Sequence, residues 1–160
     1  MNRRYTTEEF KNIVEILRKN YPDVILTTDI IVGFPGETDK EFKNTYNYLK
    51  EIKFYKMHIF KYSPRKGSKA AVMENQVLGN IKEARSKELL ELSDNNEKEY
   101  LSKYIGQEIE VLFEEKNGEY YQGHTANYIM VKTKTEEDLC NKIVKVKITG
   151  KESLNLIGTI

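Results

Sequence analysis

The stretch Thr27-Thr-Asp-Ile-Ile-Val-Gly-Phe-Pro-Gly-Glu-Thr38 decides the fold. Val24 to Val32 is mostly β-branched and apolar without clean alternation, which predicts a strand covered on both faces in a parallel sheet. Gly33 to Glu37 makes the turn that ends it. Thr38 and Glu41 have the spacing of a capping box, and Phe42, Thr45, Tyr46, Leu49 and Ile52 then mark one face of a helix. Upstream, Thr6-Thr7-Glu8-Glu9 reads as another capping box. Phe10, Ile13, Val14 and Leu17 recur at helical spacing until Tyr21-Pro22-Asp23 stops the pattern. Downstream, a second strand is predicted from about Tyr55 to Tyr62. Helix, strand, helix, strand is the order of α/β architecture, but two strands cannot close a sheet of their own.

Gly67 to Gly79 reads as a loop, and Ile81 to Tyr104 as a charge-rich helix with Ala84, Leu89, Leu92, Tyr100 and Leu101 as candidate buried positions. After Gly106 the texture changes. Short β-type runs follow at Glu108 to Phe113, Tyr120 to His124, Ile129 to Thr133, Ile143 to Ile148 and Leu154 to Ile160, divided by turn chemistry such as Lys116-Asn117-Gly118-Glu119. Five short strands in so little chain predict a small closed β-barrel, a shape that nucleic-acid-binding modules often take. The organisation is therefore three-part: 1–80 as α/β, 81–104 as a connecting helix, and 105–160 as the barrel.

The formal net charge of the 160 residues is +1, which alone favours no polyanionic partner. Its distribution says more. Lys50, Lys53, Lys56, Lys61, Arg65, Lys66 and Lys69 face Glu51 alone within one stretch, which is either a solvated face or a contact for an anion. No apolar run approaches the roughly 20 residues that cross a bilayer, and Met-Asn-Arg-Arg-Tyr-Thr lacks a signal-peptide core, so no membrane partner and a cytoplasmic location are expected. One cysteine, Cys140, and two distant histidines, His58 and His124, make neither a disulfide framework nor a zinc site, and an iron-sulfur cluster needs more thiolates.

Ligands of parallel α/β sheets sit at the carboxyl ends of strands, where Gly33 to Glu37 lies. Gly33 and Gly36 would admit a ligand close to the backbone, and the following helix start would offer it unpaired N–H groups. The bland alternative is a tight turn whose glycines serve geometry only. A phosphate loop is not indicated, because no Gly-Lys-Ser or Gly-Lys-Thr follows. Arg3 and Arg4 precede the first helix, and Tyr62-Ser63-Pro64-Arg65-Lys66-Gly67-Ser68 closes the second strand, so the whole rim is polar and basic. His58, between Met57 and Ile59, reads as a core histidine, and Cys140 as a loop residue without a role. In the β region, Gly123-His124-Thr125-Ala126-Asn127-Tyr128 brings amide, hydroxyl and aromatic groups together, with Lys132, Lys134, Lys142, Lys145, Lys147 and Lys151 on neighbouring strands. A base stacked on Tyr128 would contribute roughly 1–3 kcal/mol, which suits single-stranded RNA or a loop. Seven lysines against nine acidic residues from Tyr104 to Ile160 weaken a purely electrostatic case, and a bare barrel with Tyr128 in its wall is the alternative.

Read in order, MNRRYTTEEF, TTDIIVGFPGETDKEF, HIFKYSPRKGSKAAVM, QVLGNIKEARSKELLELS and YIGQEIEVLFEE with GHTANYIMVK resemble the C-terminal half of the tRNA methylthiotransferases, radical S-adenosylmethionine enzymes that end in a TRAM domain. MNRRYT and GHTANY resemble most the branch that acts on threonylcarbamoyladenosine beside the anticodon. The resemblance implies a partial parallel, TIM-like barrel followed by a five-stranded TRAM barrel. It also implies S-adenosylmethionine and two four-iron four-sulfur clusters as the cofactors of the full-length family. By analogy, Thr28, Asp29, Ile31, Gly33, Gly36 and Glu37 are similar to the cofactor wall, Arg3 to a residue near the cofactor's carboxylate, and Tyr62 and Ser63 to the next strand end. Arg65, Lys66, Asn127, Tyr128, Lys132 and Lys145 would then meet the tRNA anticodon stem-loop.

The sequence also departs from that family. Its CxxxCxxC cluster motif and a second cluster domain would precede Met1, so no cluster ligands and no catalytic residue are expected within this chain. The expectation is a C-terminal part that cannot methylthiolate without the N-terminal half. The alternatives are a relative acting on isopentenyladenosine, a stand-alone RNA-binding module, and, more weakly, a nucleotide-binding α/β protein using Gly33 to Thr38.

Overall fold

The computed structural model describes residues 4–160, so the Arg3 expectation lies outside the described residues. The chain divides into two compact units, Met1–Asn96 and Glu97–Ile160.

In the first unit, α1 (Thr7–Asn20) and α2 (Asp39–Ile52) both begin with complete capping boxes, Thr6 with Glu9 and Thr38 with Glu41. Between and after them run β1 (Thr27–Val32) and β2 (Lys56–Lys61), parallel and in register from Thr27 opposite Lys56 to Val32 opposite Lys61. Lys53, left-handed at φ 54°, ends α2 and turns the chain toward β2. A short 3-10 turn (Lys69–Val72) leads to α3 (Gly79–Ser102), whose first turns up to Asn96 belong to this unit. The core consists of Val14, Val32, Phe42, Leu49, Ile52, Phe54, Met57, Leu89 and Leu92. Helical spacing identified most of α2's contribution. Ile13 and Ala84, expected inside, are exposed, because their faces of α1 and α3 point to solvent.

Two further corrections concern the sheet. β1 is not covered on both faces: Thr27, Asp29 and Ile31 are exposed while Thr28, Ile30 and Val32 face the core. The register carries the same alternation into β2, where Lys56, His58 and Phe60 are exposed, so His58 is not a core histidine. Among the described residues the buried side chains pack on one side of the pair only. An open sheet face therefore presents Ile31 at 39% and Phe60 at 53% exposure, side by side.

In the second unit, β3 (Glu108–Asn117), β4 (Tyr120–His124), β5 (Met130–Thr133), β6 (Lys142–Glu152) and β7 (Asn155–Thr159) close a barrel in the order β3-β4-β5-β7-β6. Every pairing is antiparallel except β5 with β7. Val111, Phe113, Val131, Val146, Ile148 and Leu156 fill the interior, and the hydroxyl of buried Thr133 donates to the Gly158 carbonyl at 2.8 Å. Gly123 is required by close approach: a Cβ there would lie 2.1 Å from the Leu112 carbonyl oxygen on the paired strand.

Candidate functional site

The carboxyl ends of β1 and β2 build the first candidate site. Asp29, Ile31, Phe34, Tyr62, Ser63 and Arg65, with Phe60 and Lys61, line a depression of about 680 Å³. Gly36 and Glu37 border a second, shallower one of about 440 Å³ that shares Asp29, Ile31 and Phe34. Thr28 is paired with Met57 on the covered side of the sheet, and Gly33 is buried, so neither side faces these depressions. Phe34 meets Tyr62 edge-on, with ring centroids 5.3 Å apart. The Tyr62 hydroxyl is buried and has no hydrogen-bond partner among the described residues. Such a group costs free energy unless something satisfies it.

The loop itself is closed around its own polar groups. Gly33 N–H donates to Glu37 Oε2 at 2.6 Å, Gly36 N–H to the Asn75 carbonyl at 2.9 Å, and Glu37 N–H to the Phe34 carbonyl at 2.9 Å. At the start of α2, Thr38 N–H donates to Glu41 Oε2 and Glu41 N–H to Thr38 Oγ1. The capping box thus takes the Thr38 and Glu41 amides, and the Glu37 carboxylate takes that of Gly33.

Two residues of α3 that the sequence reading passed over support this loop. Arg85, 6% exposed, donates through Nη1 to Glu37 Oε2 (2.7 Å) and the Glu37 carbonyl (3.1 Å), and through Nη2 to Asp39 Oδ1 (2.7 Å). Its guanidinium lies 5.3 Å from the Phe42 ring centroid. Asp39 is almost fully exposed, so that arm is screened by water, whereas Glu37 is mostly buried and its arm is the stronger one. Burial pulls the Arg85 pKa down, and the hydrogen bonds to Asp39 and Glu37 more than offset it, leaving the pKa raised. Lys82 donates to the Tyr62 carbonyl at 3.0 Å and holds its ammonium 5.7 Å from the Tyr62 ring centroid. In the sequence both residues sit in a charge-rich helix of which only apolar residues are expected to be buried. The signal that could have found them is the 3–4 spacing of Lys82, Arg85, Leu89, Ser93 and Asn96 along one helix face, where Ser93 accepts from Met57 N–H and Asn96 donates to the Phe54 carbonyl.

On the barrel, the turn Thr125–Ile129 is the second candidate site. Thr125 N–H donates to the Ile129 carbonyl, Ile129 N–H to Thr125 Oγ1, and Tyr128 N–H to the Thr125 carbonyl. Asn127 is half-buried and accepts from Thr125 Oγ1 while donating to the Tyr104 hydroxyl at 3.0 Å. Tyr128 is thrown outward, 85% exposed, at φ 63°. A non-glycine residue held in the left-handed region stores about 1–2 kcal/mol of backbone strain, and bulky side chains are rare there. The His124 ring lies 6.3 Å away and pairs through Nδ1 with Glu114 Oε2 at 2.6 Å.

The register does not gather all the expected basic residues. Lys132 lies on β5 between Gln122 and Ile157, whereas Lys145 lies on β6 opposite Glu110, with its ammonium 3.8 Å from Glu108 Oε1. Lys134, Lys142 and Lys151 are held by Glu119, the Asp138 carbonyl and Ser102 respectively. Beside Tyr128 and His124 the neighbours across the strands are Met130, Leu112 and Ile143, an apolar row rather than a basic one. In the first unit, Lys61 pairs with Glu83, while Arg65 and Lys66 stand exposed in the loop after β2.

Among the described residues no group of three or more His, Cys, Asp or Glu side chains is placed to hold a metal ion, and no helix is long and apolar enough to cross a membrane. Residues 1–49 match the model of the radical SAM superfamily. The chain is 46% identical over 153 residues to threonylcarbamoyladenosine tRNA methylthiotransferase MtaB of Bacillus subtilis, covering 92% of this chain and 34% of that protein. It is 39% identical to the tRNA-2-methylthio-N(6)-dimethylallyladenosine synthase of Acetivibrio thermocellus and 40% identical to that of Aquifex aeolicus, in each case over all of this chain and 34% and 36% of the relative. The chain thus spans about a third of the length of the curated relatives it matches. The alignments run through both units, so the chain is a relative of the radical S-adenosylmethionine tRNA methylthiotransferases.

Proposed function

We propose that this chain is the C-terminal part of a tRNA methylthiotransferase that adds a methylthio group to C2 of N6-threonylcarbamoyladenosine next to the anticodon. The observation that carries the reading is the 46% identity to the Bacillus subtilis protein across both units. In this reading β1 and β2 belong to a TIM-like radical SAM barrel. Further strands from the remainder of the protein cover the face of Thr27, Asp29, Ile31, His58 and Phe60.

The depression at the strand ends suits S-adenosylmethionine in kind: Ile31, Phe34 and Phe60 give apolar walls, Asp29, Ser63 and Arg65 give polar partners, and the Tyr62 hydroxyl is a buried group without one among the described residues. When bound, that cofactor supplies the methyl group and the radical chemistry of the superfamily. This chain's own residues orient and enclose it. The single cysteine does not fit an iron-sulfur cluster, so cluster chemistry belongs to the N-terminal half. The barrel, in the position of a TRAM domain, holds the anticodon stem-loop with Tyr128 stacked on an unpaired base and Lys132 near the backbone.

Supplying the N-terminal half, in one chain or in trans, with iron, sulfide and S-adenosylmethionine should yield methylthiolated nucleoside in tRNA, read by mass spectrometry. The modified adenosine that gains the mass decides between the threonylcarbamoyl and the dimethylallyl branches. Persistent inactivity of a folded, cluster-loaded full chain would sink the proposal. A second reading, an RNA-binding module without catalysis, is favoured by the strained and exposed Tyr128 alone. It expects stem-loop binding by the 160-residue chain and no chemistry in any combination.

A further inference from the structure

Glu37 sits at the carboxyl end of β1, where a ligand contact is expected, yet its carboxylate points into the protein. Oε2 accepts at once from Gly33 N–H at 2.6 Å and from Arg85 Nη1 at 2.7 Å, and Arg85 takes the Glu37 carbonyl as well. Gly33 is the residue at which the chain reverses out of β1, at φ 70°. Directly after it comes Phe34, which packs on Tyr62 in the wall of the depression, and two residues before it comes Ile31 in the same wall. The Lys82 stem occupies the space beside Gly33, so that a Cβ there would fall 2.1 Å from Lys82 Cγ.

We propose that Glu37 and Arg85 form a latch that fixes the reversal at Gly33, making Arg85, from a helix 48 residues downstream of Glu37, a positioning residue for the wall of the cofactor site. The proposal rests on the cofactor reading of that depression. Glu37 accordingly acts through the backbone and does not touch the ligand. Arg85 acts through Glu37: its burial and its stacking on Phe42 hold the fork still, and the fork holds the carboxylate toward Gly33.

The same helix provides an internal control, because Ser93 Oγ accepts the Met57 amide of β2 at 3.0 Å. Loss of α3 docking would expose Met57 and Gly33 together, whereas loss of the latch would expose Gly33 alone. Amide hydrogen exchange on the 160-residue chain reads both. In Arg85→Met and Glu37→Ala, Gly33 exchange should accelerate by about tenfold or more, as expected when a charge-assisted hydrogen bond is lost, with Met57 within twofold of wild type. Glu37→Gln keeps an acceptor for Gly33 and should recover part of the protection. Unchanged Gly33 exchange in Glu37→Ala, or parallel acceleration of Met57 in both variants, would overturn the latch.

In the protein carrying its cluster-bearing half, Arg85→Met should raise KM for S-adenosylmethionine by about tenfold and leave KM for tRNA unchanged. An unchanged KM for S-adenosylmethionine, with Gly33 exchange accelerated, would overturn the positioning role and leave a structural brace. If that wild-type protein shows no methylthiolation, the proposed function fails, and the exchange experiment still decides the latch.

Discussion

Replacing Tyr128 by glycine should lower RNA affinity without lowering stability, a combination that a plain surface tyrosine would not give. The backbone at this position is held by the Thr125–Ile129 bracket and by Asn127 on the Tyr104 hydroxyl, so φ stays near 63° whatever side chain stands there. Tyr128 is 85% exposed and loses almost no burial on truncation. Alanine keeps the steric cost of the left-handed conformation, whereas glycine relieves about 1–2 kcal/mol of it and returns about 0.5–1 kcal/mol through the freedom of the unfolded chain. Tyr128→Gly should therefore be more stable than Tyr128→Ala by about 1 kcal/mol and at least as stable as wild type.

Amide exchange at Val131 and Val146, inside the barrel, reads that unit without the other. Protection in Tyr128→Gly should exceed that in Tyr128→Ala by about fivefold, the equivalent of about 1 kcal/mol. Both variants should bind a fluorescent anticodon stem-loop about 5- to 150-fold more weakly, the range of one lost base stack at about 1–3 kcal/mol. Two results would refute the reasoning: glycine no more stable than alanine, which would remove the strain, or affinities equal to wild type, which would remove the stack.

Three more expectations follow from the first unit and the barrel core. Gly33→Ala combines a φ of 70° with a Cβ 2.1 Å from Lys82 Cγ, and should destabilise the unit by about 1–3 kcal/mol by Met57 exchange; adding Lys82→Ala should recover the steric part only. Thr133→Val removes the hydroxyl's bond to the Gly158 carbonyl and should cost the barrel about 0.5–1.5 kcal/mol, read by Val131 exchange, while a neutral result would mean that this bond contributes nothing to stability. Hydrogen bonds first from the backbone and then the hydroxyls of Thr6 and Thr38 hold the Glu9 and Glu41 pKa values below the ordinary carboxylate range. Groups depressed in this way stabilise the fold at neutral pH, and the contribution is lost as pH falls below about 4, so Glu9→Gln and Glu41→Gln, which cannot titrate, should flatten the acid limb of melting curves; an unchanged limb would contradict the caps.

What was legible in the sequence was local. The capping boxes at Thr6 and Thr38 are complete within four residues, and the five β runs after Gly106 are separated by turns whose residue types demand them, as at Gly118 with φ 61°. Both kinds of signal survive any tertiary context, which is why the helix starts and the barrel strands fell where the pattern placed them. The faces of the first sheet were less legible. A run of β-branched residues predicts burial on both sides, but burial depends on what packs there, and Asp29, Ile31 and the neighbouring Phe60 stay exposed.

The candidate sites divide along the same line, and the division says where the chemistry is encoded. Strand-end residues such as Asp29, Ile31, Tyr62 and Ser63 can be placed from the strand pattern alone, since a ligand at a parallel sheet meets the carboxyl edge. Arg85 cannot be so placed, because its meaning lies 48 residues away in Glu37. Nor can the inward turn of Glu37 itself, which a reading of isolated motifs assigns to a ligand. The buried polar residues of α3, Arg85, Ser86, Ser93, Asn96 and Glu97, leave that helix without a clean apolar face, and a reading that looks for apolar positions alone passes over them. Polar burial is costly unless each group is partnered, so a helix that buries an arginine, a serine and an asparagine against loop and strand backbone is shaped by those partners more than by its own pattern. In this chain the proposed ligand-facing surface is therefore written in short motifs, while the groups that hold it in place are written in contacts between distant ones.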